Sequence, residues 1–510
     1  MGRVRIATVL PALAALCLLA AAPAAGAKQR VPTARQCAAA AAHRSHPPLL
    51  ALDHRTGAPR FFAMQFKQET RNVISYATFR RKIECLIRTD VLPHLARGVP
   101  NVVAFNEDVG LMAVGIGARG RVARALLGDP GGDAHCAGRP SPCVAIDALS
   151  ALNEAYAKPL AAYQRRFGRL NPLSSAFVAG TDTLARGFMQ TFSDLARRYH
   201  VYLLASSDQA PFRESRRAAD IATFRDPAGP RPRSVFVATS SRVYNQVFLW
   251  APRDVRRSGP PMLRNVVATN RKVPLTPIEN AQGFSPGPGT GPAARANLRP
   301  YRLPGTRARL GFATSLPAFV YGDPPAGTDP CSDTARYYMR CLDELGANVV
   351  VQDEANPGAW TGPDGDGVEQ WQPLSWMTST WRAVSDPTVR FAYNVTPMMV
   401  GNLGDLPFDG QSAITQRGAA SGPGCHYIGD AAFVGGEDRA DLPAAAGPKR
   451  EFLAVAPWVR ADGARADLRA TGARLAPASG DALENDYLET ALVADLPFPV
   501  DTHRRGCVTG

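Results

Sequence analysis

Apolar residues in this chain fall into two kinds of run. Short, nearly continuous ones occupy residues 61–65, 101–105, 201–205, 309–315 and 348–352, and between them lie stretches with an apolar position every three or four residues. The first kind reads as buried strands and the second as amphipathic helices. Residues 71–92 carry the helical spacing on Ile74, Phe79, Ile83, Leu86 and Ile87, and Pro93 is a stop for that helix. Pro100 breaks the chain again before the apolar run at 101–105, which makes a strand–helix–strand unit, the seed of an α/β fold. A second helix is expected at 191–199, followed by the strand at 201–205 and by Ser206-Ser207-Asp208. Residues 234–240 and 244–251 read as paired strands joined by a turn. A further helix at 333–345 ends at Gly346, a residue suited to a helix stop. Late strands are expected at 389–394, 452–459 and 490–494, and no internal repeat is present.

Breaks in this pattern divide the chain. Residues 111–180 look like an insertion, with a Gly/Pro-rich stretch and then a helical piece from 145 to 166. Residues 281–300 are rich in Gly, Pro and Ala and read as a loop, as do residues 321–330. At the start, Arg3 and Arg5 precede an uncharged apolar run from Ile6 to Ala22, and Ala25-Gly26-Ala27 offers a small-residue cleavage site. Residues 1–27 thus read as a signal peptide. An uncleaved membrane anchor is the alternative, since the run approaches spanning length. Pro11, Pro23 and the many alanines favour cleavage, and nothing later resembles a membrane span. The expected organisation is a leader at 1–27, an N-terminal segment at 28–56, one large domain at 57–500 and a tail at 501–510.

Composition narrows the picture. Without the leader, eight cysteines remain: Cys37, Cys85, Cys136, Cys143, Cys331, Cys341, Cys425 and Cys507. An even number in an exported chain suggests pairing in an oxidising compartment. Cys136 with Cys143 and Cys331 with Cys341 are natural short-loop pairs, while the other four allow several connectivities. No C-x-x-C pair or H-x-x-x-H spacing supports a zinc site. The formal charge is +14, which could favour an anionic surface or polymer. The arginines are scattered, however, with no basic run interleaved with aromatics, so nucleic acid is not an expected partner.

Three segments carry candidate chemistry. Asn101-Val102-Val103-Ala104-Phe105-Asn106-Glu107 is an apolar strand that ends in a carboxylate. Asn270-Arg271-Lys272-Val273-Pro274-Leu275 holds a lysine, with Glu279 just beyond. Arg309-Leu310-Gly311-Phe312-Ala313-Thr314-Ser315 is a buried strand that delivers a small nucleophile-sized side chain at its end. In this order the segments resemble the nitrilase, or carbon–nitrogen hydrolase, superfamily, whose catalytic set is glutamate, lysine and cysteine. Further ordered marks agree. Residues 195–206 resemble the family's helix-to-strand step, and Tyr244-Asn245 opens a strand before the lysine loop. Leu345-Gly346-Ala347-Asn348 resembles its helix end, and Phe408-Asp409-Gly410-Gln411-Ser412 its late F-x-G-x-S turn. The resemblance spans most of residues 57–500. It implies a four-layer α-β-β-α sandwich, often dimerised through one helical layer, and a small amide or nitrile as substrate. It implies no metal and no organic cofactor.

Two departures stand out. The family usually has proline before its glutamate, where this chain has Asn106, and its cysteine is Ser315 here. By the resemblance, Glu107 is the general base, Lys272 stabilises the oxyanion of a tetrahedral intermediate, and Glu279 orients Lys272 or a catalytic water. The plainer alternatives are a structural carboxylate beside Lys272 for Glu107 and a solvent-facing one for Glu279. A serine hydroxyl is roughly five units less acidic than a thiol, or about 7 kcal/mol for full deprotonation. General-base catalysis avoids that cost, although no histidine lies in these segments. His200 and His426 read as ordinary surface or core histidines. Three readings of the centre therefore stand open: Ser315 as nucleophile, a nucleophile displaced to Cys331, and an inactive nitrilase-fold protein that uses its pocket for binding. Trp360 reads equally as a pocket wall or a packed core residue. Asn394-Val395-Thr396 is a glycosylation sequon if the host glycosylates exported proteins.

Overall fold

In the computed structural model the described residues are 31–53, 55–128, 136, 142–229, 233–358, 372–419, 451–457, 459, 468–504 and 508–509. They form two large sheets. One, nine-stranded, runs in the order Leu49–Ala51, Thr490–Asp495, Arg60–Lys67, Asn101–Ala104, Tyr202–Gln209, Tyr244–Trp250 and Val266–Arg271, and Met399–Leu403 with its partner Leu406–Phe408 joins Arg60–Lys67 off this path. The other, seven-stranded, runs Val508–Thr509, Phe452–Val455, Ala413–Gln416, Tyr393–Thr396, Val349–Val351, Arg309–Phe312 and Tyr301–Arg302.

The packing of these sheets explains the continuous apolar runs. In Arg60–Lys67, Phe61 and Phe62 are adjacent and both fully buried, yet they enter different cores. Phe61 packs with Ala104, Leu204, Leu249, Leu310, Val351 and Val395, residues from both sheets. Phe62 packs with Phe79, Ile83, Phe188 and Phe192 on the helical side. A strand covered on both faces has no polar face to show, so alternation disappears. The second sheet is covered likewise: Val350 packs with Tyr338, Met339 and Leu342 of the helix Thr334–Glu344 and with Ala383 of the helix Gln372–Ser385. Helix, sheet, sheet and helix thus stack in four layers, the α-β-β-α sandwich expected from the sequence.

Local signals set the helix boundaries. Ser75 caps Tyr76–Leu86 through a reciprocal hydrogen-bond box with Thr78. Cys37–Cys85, a pairing the sequence left open, ties this helix to the short helix Ala34–Ala40. Cys136–Cys143 and Cys331–Cys341 are also bonded. Cys425 and Cys507 lie outside the described residues, as do residues 1–27, Trp360 and His426.

Several expectations need correction. The strand Val235–Ala238 does not pair with Tyr244–Trp250. It pairs with Phe212–Ser215 in a small separate sheet, because Tyr244–Trp250 has both edges taken by Tyr202–Gln209 and Val266–Arg271. Residues 281–300 are not all loop, since Gly291–Asn297 is a helix with a proline in its first turn. Proline at that position costs no hydrogen bond, and the following Ala293-Ala294-Arg295-Ala296 favours helix, so the Gly/Pro composition hid it. The helix at 71–92 is segmented into Thr70–Val73, Tyr76–Leu86, Ile87–Val91 and Leu92–His94. Asn394 is fully buried and donates to Gln352 Oε1 and the Thr380 carbonyl at 2.6 and 3.1 Å, so the folded chain does not present it for glycosylation. His200 is exposed at a helix C-terminus with φ 55°. No helix among the described residues is long and apolar enough to cross a membrane.

Candidate active site

The site gathers residues just beyond the carboxyl ends of parallel strands, where open α/β sheets expose loops for chemistry. Asn101–Ala104 and Tyr202–Gln209 run parallel in the first sheet, and the chain continues from the former to Glu107. Arg309–Phe312, Val349–Val351 and Tyr393–Thr396 run parallel in the second. Ser315 follows the first of these and Asp353 the next. The two sheets are face to face, so both sets of strand ends open on the same interior.

Lys272 is held at the centre. Its backbone N–H donates to the Asn245 carbonyl at 3.0 Å, which continues the ladder between Tyr244–Trp250 and Val266–Arg271 by one residue. Its Nζ lies 2.8 Å from Glu107 Oε1 and 2.9 Å from Glu279 Oε2. An ammonium has three protons, so one remains for a further acceptor. Asn245 Nδ2 donates to Glu107 Oε1 at 2.6 Å and to Glu279 Oε1 at 2.9 Å, which pins both carboxylates beside the lysine. Glu279 also closes a capping box at the start of the helix Pro277–Ala281, accepting from Thr276 N–H at 2.9 Å and Thr276 Oγ1 at 2.8 Å. It is buried, not solvent-facing.

Ser315 joins this group through the loop after Val349–Val351. Its N–H donates to the Asp353 carbonyl at 3.1 Å. Two residues later, the Ala355 N–H donates to Glu107 Oε2 at 3.0 Å. Thr314 Oγ1 holds Asp353 Oδ1 at 2.8 Å. A second brace comes from Tyr338, whose hydroxyl donates to the Phe312 carbonyl at 2.7 Å and accepts from Asn270 Nδ2 at 3.2 Å. One phenol thus fixes the strand before the serine to the strand before the lysine. Ser315 has φ 55° and ψ −121°, a conformation that costs an L-residue about 1–3 kcal/mol. Its carbonyl accepts from Ala318 N–H at 2.8 Å, so a short 3-10 turn, Leu316–Phe319, starts directly from the strained residue. Ser315 is only 2% exposed, and Glu107 and Lys272 are 2% and 3% exposed.

Burial decides the charge states. It pushes the Glu107 carboxyl up to about 7, with Lys272 pulling down and Glu279 and Asp353 pushing up. For Lys272, burial alone would depress the ammonium, but Glu107 and Glu279 outweigh it and hold the pKa above its ordinary value. Glu279 goes the other way: burial opposes ionisation, yet Lys272, the Thr276 backbone and Asn245 keep its carboxyl below the usual range. Two carboxylates on one lysine are therefore set apart, Glu279 as a permanent counter-ion and Glu107 as a group that exchanges its proton near neutrality.

Residues that the sequence reading did not single out complete the surroundings. Burial raises Asp353 to about 6, opposed by its hydrogen bonds with Thr314 and Ser206, and it raises Glu354 well above the carboxylate range. Neither follows the apolar run directly, since Gln352 separates both from Val351. The alternative nucleophile, Cys331, is bonded to Cys341 and offers no thiol.

No family model and no curated protein matches the chain. Among solved structures, an amidase from Nesterenkonia sp. matches at 14% identity over 71% of this chain and 84% of its own, with a TM-score of 0.31. A variant of the Nesterenkonia AN1 amidase of the nitrilase superfamily matches at 13% over 71% and 86%, with a TM-score of 0.33. A carbon–nitrogen hydrolase from Helicobacter pylori G27 matches at 11% over 70% and 81%, with a TM-score of 0.35. These likenesses are distant.

Proposed function

We propose that this chain is an exported carbon–nitrogen hydrolase of the nitrilase superfamily that cleaves a small non-peptide amide through Ser315, Glu107 and Lys272. The observation that carries the reading is the strained backbone of Ser315, within one hydrogen-bonded network with a buried glutamate–lysine pair. Of the described non-glycine residues at positive φ, Ser315 is the one that carries a hydroxyl, and a turn of this kind after a strand fixes the direction of a nucleophile's Oγ. Glu107, ionised above about pH 7, accepts the Ser315 hydroxyl proton as Oγ attacks the amide carbon, so free alkoxide never forms. The remaining proton of Lys272 faces the oxyanion that develops. Glu107 then returns its proton to the leaving nitrogen, and water, activated by the same carboxylate, releases the acid. The serine's near-complete burial suits a small substrate rather than a protein side chain. Export is supported by the leader-like residues 1–27 and by the three disulfides, which belong to oxidising compartments.

The test is ammonia release from a panel of small aliphatic amides by the purified chain and by its Ser315→Ala variant. The proposal expects release by the former and none by the latter. Equal release by both would remove Ser315 as the nucleophile, and binding without turnover by the wild type would point to the binding-protein reading.

A further inference from the structure

Beyond the lysine and its two partners, the site contains buried acids with an oxygen that has no hydrogen-bond partner. Tyr202–Gln209 and Tyr244–Trp250 pair in register, with Asp208 opposite Asn245. Directly opposed residues of an antiparallel pair project to the same face. Asn245 reaches Glu107 and Glu279 on that face, so the Asp208 side chain lies beside the catalytic cluster. Asp208 is 2% exposed, and its Oδ1 has no hydrogen-bond partner. On the loop after Glu107, the Asp108 N–H donates to Ser206 Oγ at 3.0 Å, which brings Asp108 to the same strand end. Its Oδ1 is also shut off from solvent without a partner. The Lys272 ammonium is committed to Glu107 and Glu279 and satisfies neither aspartate. A buried acid oxygen without a partner is a costly arrangement, and a cation that supplies donors at this strand end would relieve it for both residues.

We propose that the amide cleaved here carries an ammonium group, and that Asp208 and Asp108 form the subsite that receives it. The inference rests on the hydrolase reading above and assigns its substrate class. The ammonium supplies the donors that both Oδ1 atoms lack, while its amide carbon lies at Ser315. With two acids in the subsite, an anionic chain is rejected and a neutral one is merely tolerated. Because burial, helped by Asp208 and Glu107 for Asp108 and by Glu279 and Glu107 for Asp208, raises both aspartates well above their ordinary values, they hold protons in the empty site, and a bound cation displaces them.

The experiment compares three amides of matched length, 4-aminobutanamide, pentanamide and succinamic acid, in two readouts. In turnover, kcat/KM for the cationic amide should exceed that for pentanamide at least tenfold, with succinamic acid last. In Asp208→Asn, the ratio of cationic to neutral kcat/KM should fall at least tenfold, whatever happens to either value alone. In calorimetric titration of the catalytically silent Ser315→Ala chain, 4-aminobutanamide should bind more tightly than pentanamide and release protons to the buffer. That second readout separates the two claims, since absent turnover with preferential cation binding sinks the hydrolase and leaves the subsite standing. Equal binding of the cationic and neutral amides, or a ratio unchanged in Asp208→Asn, would overturn the subsite.

Discussion

Replacing Ser315 by glycine should give a catalytically dead protein that is nonetheless more stable than the equally dead Ser315→Ala, the reverse of the usual order for glycine and alanine. The residue sits at φ 55° and ψ −121°, and its N–H and carbonyl are each engaged, with the Asp353 carbonyl and the Ala318 N–H. The surrounding backbone therefore imposes the conformation, and the Cβ bears the strain of about 1–3 kcal/mol. Glycine removes that strain but adds unfolded-state freedom worth about 0.4–1 kcal/mol. The net expectation is a gain of about 0.5–2 kcal/mol for Ser315→Gly relative to Ser315→Ala. Alanine is the proper reference because both variants lose the hydroxyl and only one keeps the Cβ. Chemical denaturation followed by tryptophan fluorescence, with the disulfides intact, gives the comparison, and ammonia release should vanish in both. If Ser315→Gly proves less stable than Ser315→Ala, the residue is not strained, and the argument from strain to nucleophile collapses.

Further expectations concern its partners. Lys272→Met should destabilise the fold by about 3–5 kcal/mol, because it leaves Glu107 and Glu279 buried without their shared cation; thermal unfolding of the variant checks this. The rate of amide hydrolysis should climb about tenfold per pH unit below neutrality and level off above about pH 7, as Glu107 loses its proton. Stability should move the opposite way. Carboxyls whose folded pKa is raised favour the fold fully below the ordinary carboxylate range, and that contribution is lost as pH rises through Asp353 at about 6 and Glu107 at about 7. Denaturation midpoints should therefore fall across that window, and Glu107→Gln should flatten the fall. In Asn245→Ser the ionised form of Glu107 loses a 2.6 Å hydrogen bond, so the rising limb of the pH–rate profile should shift to higher pH.

Much of the framework was legible before any coordinates. Runs such as 101–105 and 348–352 lack alternation because each strand is sandwiched, and that is the signature of a fold covered on both faces. What the sequence could not convey was which strands meet. Residues 235–238 and 244–250 are neighbours in the chain and look like a hairpin, yet pairing is decided by which edges are free. Glu107, Lys272 and Glu279 were marked by order and resemblance, and their bridging by Asn245 was not, because an asparagine inside a strand gives no local sign of its partners. Asp208 and Asp353 are visible only once the ends of separate strands are seen to converge. Strain at Ser315 belongs to the backbone, and no residue type announces it.

The measurement that bears most directly on the central claim is intact mass of the chain after brief exposure to a small activated ester or amide, with acid quenching and peptide mapping. A serine-nucleophile hydrolase should show a single acyl addition confined to the peptide holding Ser315, absent from Ser315→Ala. Hydrolysis without any acyl addition, or an addition that persists in Ser315→Ala, would contradict the account.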